Sequence, residues 1–162
     1  MADPSHSRAP EAGLDARRRQ AETFLNFARL GRMVDRSVAT LFAREGLKEV
    51  TPAQGGALMI LFQERAPMTA RQLATRMGLS QVTVGRFIRA LHDSGRVSRE
   101  PDPDDARAML LRPTRKAMRA LPRFIRVSNA LFDRAFYGFP DAAIRTIAAT
   151  TERLRKNLET ED

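Results

Sequence analysis

The stretch "SQVTVGRFIR", Ser80 to Arg89, gathers the side chains best able to do chemistry on another molecule. On a helix turning 100° per residue, Val84, Phe87, Ile88 and Leu91 share one face. Val82, Arg86 and Arg89 then point to the opposite side, flanked by Gln81, Thr83 and Gly85. Outward Arg86 can contact guanine bidentately, Gln81 and Thr83 can hydrogen-bond bases or phosphate, and Val82 can lie against a thymine methyl. The competing reading is a solvated helix face, which leaves an outward Val without a purpose.

A second group lies in "REPDPDDARAMLL", Arg99 to Leu111, where the densest acidic cluster follows a run of arginines. Asp105 and Arg107 stand two apart, so on extended backbone they project to the same side. A carboxylate placed there can hold the guanidinium extended toward a minor groove, whose narrow A·T tracts concentrate negative potential. The plainer alternative is an exposed ion pair that tightens the turn, worth at most about 1 kcal/mol. Asp102 and Asp104 alternate with Pro101 and Pro103 and build the turn itself.

Both groups need elements to hold them, and the punctuation supplies these. Thr69 with Gln72 three residues on forms a capping box, Leu73 and Met77 face inward, and Gly78 ends the helix in a left-handed turn. Ser80 caps the next helix, which stops at Ser94-Gly95. Extended runs at 97–100 and 108–112 bracket the Pro-Asp turn as a hairpin wing. The order is capped helix, glycine turn, capped helix and basic hairpin, which together say far more than any one of them.

Upstream, a tail over 1–12 precedes a long helix with an apolar stripe at Phe24, Phe27, Leu30 or Gly31, Val34, Val38, Leu41 and Phe42, expected to be buried. Thr51, Pro52 and Gln54 open a helix whose apolar centre, 57–62, belongs inside, with Gly55 and Gly56 allowing close approach. Downstream, Thr114 caps a helix with Leu121, Phe124, Ile125, Ser128, Leu131, Phe132 and Phe136 on one side, and Pro122 should kink it or delay its start. The last helix carries a seam at Ile144, Ile147, Thr151, Leu154 and Leu158 that one small domain cannot house, so a partner subunit is expected.

Composition narrows the classes. The 162 residues suit one domain, and a net charge of +9 suggests nucleic acid or another anionic surface. Between Arg65 and Glu100 seven arginines face two acids, the local excess falling where the helix-turn-helix signals lie. There is no Cys, which excludes disulfides, thiolate metal sites and thiol switches. Neither a membrane-spanning run nor a secretory signal is seen, and a cytoplasmic location is expected. No nucleophile with a base, carboxylate pair or metal cluster can be assembled, so no enzyme and no cofactor is expected. His92 reads as solvated or structural, and the stripe Arg115, Arg119, Arg123 and Arg126 reads as a solvated face, the alternative being an approach to DNA backbone or to a neighbouring acidic helix.

The segment "LSQVTVGRFIRALHDSGRVSREPDPDDARAMLLRPT" resembles the winged helix-turn-helix core of MarR-family transcriptional regulators, with Asp105 and Arg107 matching the family's wing Asp-x-Arg. "TPAQGGALMIL" and "MTARQLATRMGLS" are similar to the preceding helices. The resemblance implies a mainly α fold with a small β-hairpin wing: a single domain over 13–162, with a DNA-binding lobe at 48–112 and dimerisation helices at 13–47 and 113–160. It implies a homodimer on a pseudo-palindromic operator in double-stranded DNA, mostly repressing and released by a small phenolic or anionic effector. Carried over by position, Ser80, Gln81, Val82, Thr83 and Arg86 would contact DNA, with Arg89 beside them, and Arg107 would enter the minor groove with Asp105 as its orienter. Arg96 departs from the pattern, standing where the family usually has an apolar residue. The rival reading is an architectural or non-specific basic DNA-binding protein without effector control.

Overall fold

The computed structural model describes residues 8–64, 66–105 and 107–159. Six helices and three short strands follow in the order α1 (Arg8–Arg44), α2 (Pro52–Gln63), β1 (Met68–Thr69), α3 (Ala70–Met77), α4 (Gln81–Asp93), β2 (Val97–Pro101), β3 (Met109–Pro113), α5 (Arg115–Ala135) and α6 (Asp141–Glu159). The mainly α class with a small hairpin wing is the one observed.

The caps are where their residues place them. Thr51 Oγ1 accepts the Gln54 N–H at 3.3 Å while Gln54 Oε1 accepts the Thr51 N–H at 3.0 Å, closing a capping box at the head of α2. Thr69 and Gln72 do the same for α3. Gly78 ends α3 at φ 62°, a left-handed position that a side chain would strain.

One core joins all of this. Phe42 from the end of α1, Leu47 from the connection that follows it, Leu58 and Leu61 from α2, Leu73 from α3, Val84, Ile88 and Leu91 from α4, Leu111 from β3 and Phe124 from α5 are buried in a single cluster. Phe124 lies at its centre, edge-on to Phe42 at 5.4 Å and to Phe62 at 5.7 Å. Gly55 lets α1 and α2 meet, because a Cβ there would stand 2.4 Å from Phe42 Cζ. The foot of α1 and the head of α5 therefore share one core with α2, α3 and α4, across the expected boundaries at 48 and 112.

Several expectations are corrected. α1 begins at Arg8, inside the expected tail, because Pro10 falls among the first four residues, whose N–H groups need no helical acceptor; residues 1–7 of that tail lie outside the described residues. The α1 stripe is not buried throughout: Phe24, Phe27 and Leu30 are exposed, since this half of the helix projects past the core. β1 was not foreseen. Its two residues, Met68 and Thr69, pair with Leu111 and Leu110 and give the sheet the order β1-β3-β2. The paired strands reach Pro101, expected in the tip, and Pro113, expected past the second run, because both are strand-terminal residues where a missing N–H is tolerated. Phe87 is half-buried rather than a full member of the core face. α5 starts at Arg115 and runs through Pro122, burying Ala117, Phe124 and Val127 while Ile125, Phe132 and Phe136 stay exposed. α6 buries none of its residues, as its unhoused seam implies.

Candidate nucleic-acid interface

The tight turn at Gly78 sets α4 against α3, and Ser80 begins α4 by accepting the Thr83 N–H at 3.2 Å. The two hydroxyls of Ser80 and Thr83 also lie 2.9 Å apart. Val84, Ile88 and Leu91 are clamped in the core, so the rotation of α4 is fixed and its opposite side must face outward. Gln81, Val82, Arg86 and Arg89 are exposed there and Thr83 is half-buried. Val82 is 76% exposed, an apolar side chain at the centre of a polar face.

The wing stands beside this helix, and the sheet register decides where its arginines go. Arg99 is paired with Leu111, so both side chains leave the sheet on the same side, the side that carries the buried Leu111. Ser98 and Glu100 leave by the other side, where Arg112, opposite Ser98, reaches Glu100 at 3.7 Å. The arginine on the outer face has an acidic neighbour, and the arginine on the inner face does not.

At the tip the acids serve the backbone. Asp102 Oδ1 accepts the Asp104 N–H at 3.0 Å, and Asp105 Oδ1 accepts the Arg107 N–H at 2.9 Å. The Ala108 N–H closes the turn on the Asp105 carbonyl at 2.9 Å. Asp105 was expected to grip the Arg107 guanidinium. It holds the Arg107 backbone instead, and no ion pair joins the two side chains among the described residues. The reason is local: a carboxylate two residues before a free N–H closes an Asx turn more readily than it reaches along an extended chain the tip does not have. Ala106, between them, lies outside the described residues.

Between α4, the head of α3 and the wing runs a groove of about 440 Å³. Gln81, Arg89, Asp105 and Arg107, all singled out in the sequence, line it together. Ser80, Val82, Thr83 and Arg86 lie outside its lining, on the cap and the outward face of α4. Arg71 and Arg99 line the groove too, and the sequence reading passed over both. The signal for Arg99 was the alternation from Val97, which puts the two on one side of β2. Nothing local marks Arg71, because its place in the groove depends on how α3 packs.

The remaining charges divide differently. Arg126, from the exposed stripe on α5, donates through Nε and Nη2 to Glu45 Oε2 at 3.0 and 2.7 Å and so ties α5 to α1. That hydrogen bond, helped by the charges of Arg126 and Arg123, holds the Glu45 carboxyl below its ordinary pKa against the opposing effect of desolvation. Among the described residues, His92 Nδ1 lies 3.6 Å from the exposed Asp93 carboxylate.

Comparison with known proteins gives a consistent picture. Residues 50–109 match the family model described as MarR family. The HTH-type transcriptional repressor IacR of Pseudomonas putida is 24% identical over 100 residues, covering 62% of this chain and 60% of that protein. An uncharacterized HTH-type transcriptional regulator, YybA of Bacillus subtilis (strain 168), is 27% identical over 101 residues, covering 62% and 67%. The match thus spans three fifths to two thirds of these relatives' lengths. Among solved structures, CouR from Rhodococcus jostii RHA1 bound to p-coumaroyl-CoA shares the fold, with a TM-score of 0.69 at 24% identity over 78% of this chain and 87% of that one.

Proposed function

For this chain, which carries a MarR-family winged helix-turn-helix over residues 50–109, we propose a role as a sequence-specific, DNA-binding transcriptional regulator that acts as a homodimer on a pseudo-palindromic operator. The observation that carries the reading is an exposed polar face on α4 whose Gln81 and Arg89 edge shares one groove with an arginine-bearing wing, both elements being anchored in one core. A B-form major groove admits α4, and the wing then falls toward the neighbouring minor groove. Arg86, Gln81, Thr83 and Val82 read base edges, Ser80 orders the first turn of α4, Arg89 supports them, and Arg107 reaches the minor groove from a tip that Asp105 shapes.

The dimer is supported by apolar surface that the described residues leave exposed. Phe24, Leu30 and Met33 on α1, Phe132 on α5 and Phe136 at its C-cap, and Ile147 and Leu158 on α6 are all exposed. Large apolar side chains exposed along three helices support an interface, and a two-fold partner would set two copies of α4 one helical turn apart on DNA.

Repression and release by a small anionic effector complete the proposal. The similar protein IacR is named a repressor. A groove of about 390 Å³ between α1 and α5 sets Arg36, Arg44 and Arg134 around Met33, Leu41 and Leu131, a lining that suits an anion with an apolar body. The protein would work beside DNA, in the cytoplasm; no helix among the described residues is long and apolar enough to cross a membrane. The test is protection mapping on DNA from around its own gene, with a scrambled duplex as competitor at equal salt. A regulator protects a two-fold segment that the scrambled duplex fails to compete away. Equal competition by the scrambled duplex would instead mark a non-specific architectural protein.

A further inference from the structure

A helix in a major groove and a wing in the adjacent minor groove are separated by one sugar-phosphate strand, which must run through the space between them. In this protein that space is the groove bounded by α4, the head of α3 and the wing. We propose that it is a phosphate channel in which Arg71 of α3 and Arg99 of β2 grip the strand lying between the two grooves. The inference rests on the DNA-binding reading above and adds two residues that neither the reading helix nor the wing tip contains.

The charges support it. Arg71, Arg89, Arg99 and Arg107 all line the groove, are exposed, and form no ion pair among the described residues. The only acids in the lining are Asp102 and Asp105, and each commits Oδ1 to a backbone N–H of the tip. Four guanidinium groups against two engaged carboxylates leave a cationic surface. Guanidinium groups bind phosphate through paired N–H donors, which suits an anion with several acceptor oxygens. The register supplies the contrast: Arg112, on the outer face of the same hairpin, meets Glu100 and points away from the groove.

Phosphate contacts add affinity equally to all sequences and release counterions, whereas base contacts change sequence preference. The test measures binding of the full chain to a duplex that it has enriched from a random pool and to a scrambled version of that duplex, across a salt series. Arg71→Ala and Arg99→Ala should each make the slope of log affinity against log salt shallower by about one per bound protomer on both duplexes. The preference for the enriched duplex should be retained. Arg99→Lys should restore most of the slope, and Arg112→Ala should leave it unchanged. Thermal unfolding of each variant, expected to match the parent, separates lost contacts from lost fold. The channel is refuted if the parent binds with its usual slope and preference while both alanine variants keep that slope. It is also refuted if they lose preference but not slope. A parent that binds neither duplex removes the DNA-binding reading and the channel with it.

Discussion

The Arg96 guanidinium, from the turn between α4 and β2, donates through Nη2 to Glu49 Oε1 in the connection between α1 and α2. Arg96 is only 5% exposed and is the one charged residue among the described buried ones. Its backbone is held as well: the Arg96 N–H bonds the Leu91 carbonyl at 2.8 Å and the Arg96 carbonyl accepts the Thr114 N–H at 3.0 Å. Lys116 Nζ caps the Ser94 carbonyl at 2.8 Å and Thr114 Oγ1 donates to the Gly95 carbonyl at 2.7 Å. The end of α4 and the root of the wing are thereby fastened to α5 and to the connection between α1 and α2.

Removing the acid should hurt more than removing the pair. Glu49→Ala leaves a buried guanidinium without its carboxylate and should cost about 1–3 kcal/mol in urea unfolding. Arg96→Leu removes the need for the acid and should cost less, since apolar replacement of a buried charge is often neutral. The double variant should then resemble Arg96→Leu. Equal losses for the two single variants, fully additive in the double, would show that the two residues do not interact.

Adjacent glycines in α2 should respond with opposite signs. A Cβ on Gly55 meets Phe42 Cζ at 2.4 Å, so Gly55→Ala overpacks the core and should cost about 1–3 kcal/mol. On Gly56 the nearest atom is Met77 Cε at 4.0 Å, so Gly56→Ala should stabilise by about 0.4–1 kcal/mol through a less flexible unfolded chain. Denaturant midpoints that move the same way for both would contradict the packing described.

The Glu45–Arg126 link carries a pH signature. The Arg126 hydrogen bond keeps the Glu45 pKa below its ordinary 4.5, so the folded chain binds its proton less readily than the unfolded chain does. The stability this adds is complete above pH 4.5 and is lost as the pH falls through the lowered folded value. The difference in stability between the parent and Glu45→Gln should therefore be constant at neutral pH and close in acid. A gap that widened on acidification would reverse the sign.

Arg86 and Arg107 should divide the work on DNA. Arg86→Ala should relax base preference at one position per half-site, by about 1–3 kcal/mol. Arg107→Ala should weaken binding most where A·T-rich flanks narrow the minor groove. Asp105→Asn retains an oxygen acceptor for the Arg107 N–H and should bind almost as the parent does, whereas Asp105→Ala loosens the tip. Selection from a randomised duplex pool reads all four variants, and one uniform loss across every sequence would refute this assignment.

Local chemistry settles within a few residues, and that part was legible in the chain. The capping boxes at Thr51 and Thr69, the left-handed Gly78, the Ser80 cap and the inward set Val84, Ile88 and Leu91 all follow from spacing and residue type. They were enough to place Gln81, Val82, Arg86 and Arg89 on an outward face. Side-chain partners drawn from distant segments were not legible, because spacing along the chain holds no record of who packs against whom. Phe124 meeting Phe42 and Phe62, β1 joining β3, and Arg99 facing the groove while Arg112 faces away depend on register and packing. The acids of the wing tip show the division in miniature. The sequence assigned Asp102 to the turn and Asp105 to the Arg107 guanidinium, but only the folded backbone decided that Asp105 takes the Arg107 N–H and leaves that guanidinium free of its carboxylate. An Asx turn closes within its own three residues, and the geometry of that closure decides which of two reachable donors the carboxylate meets first.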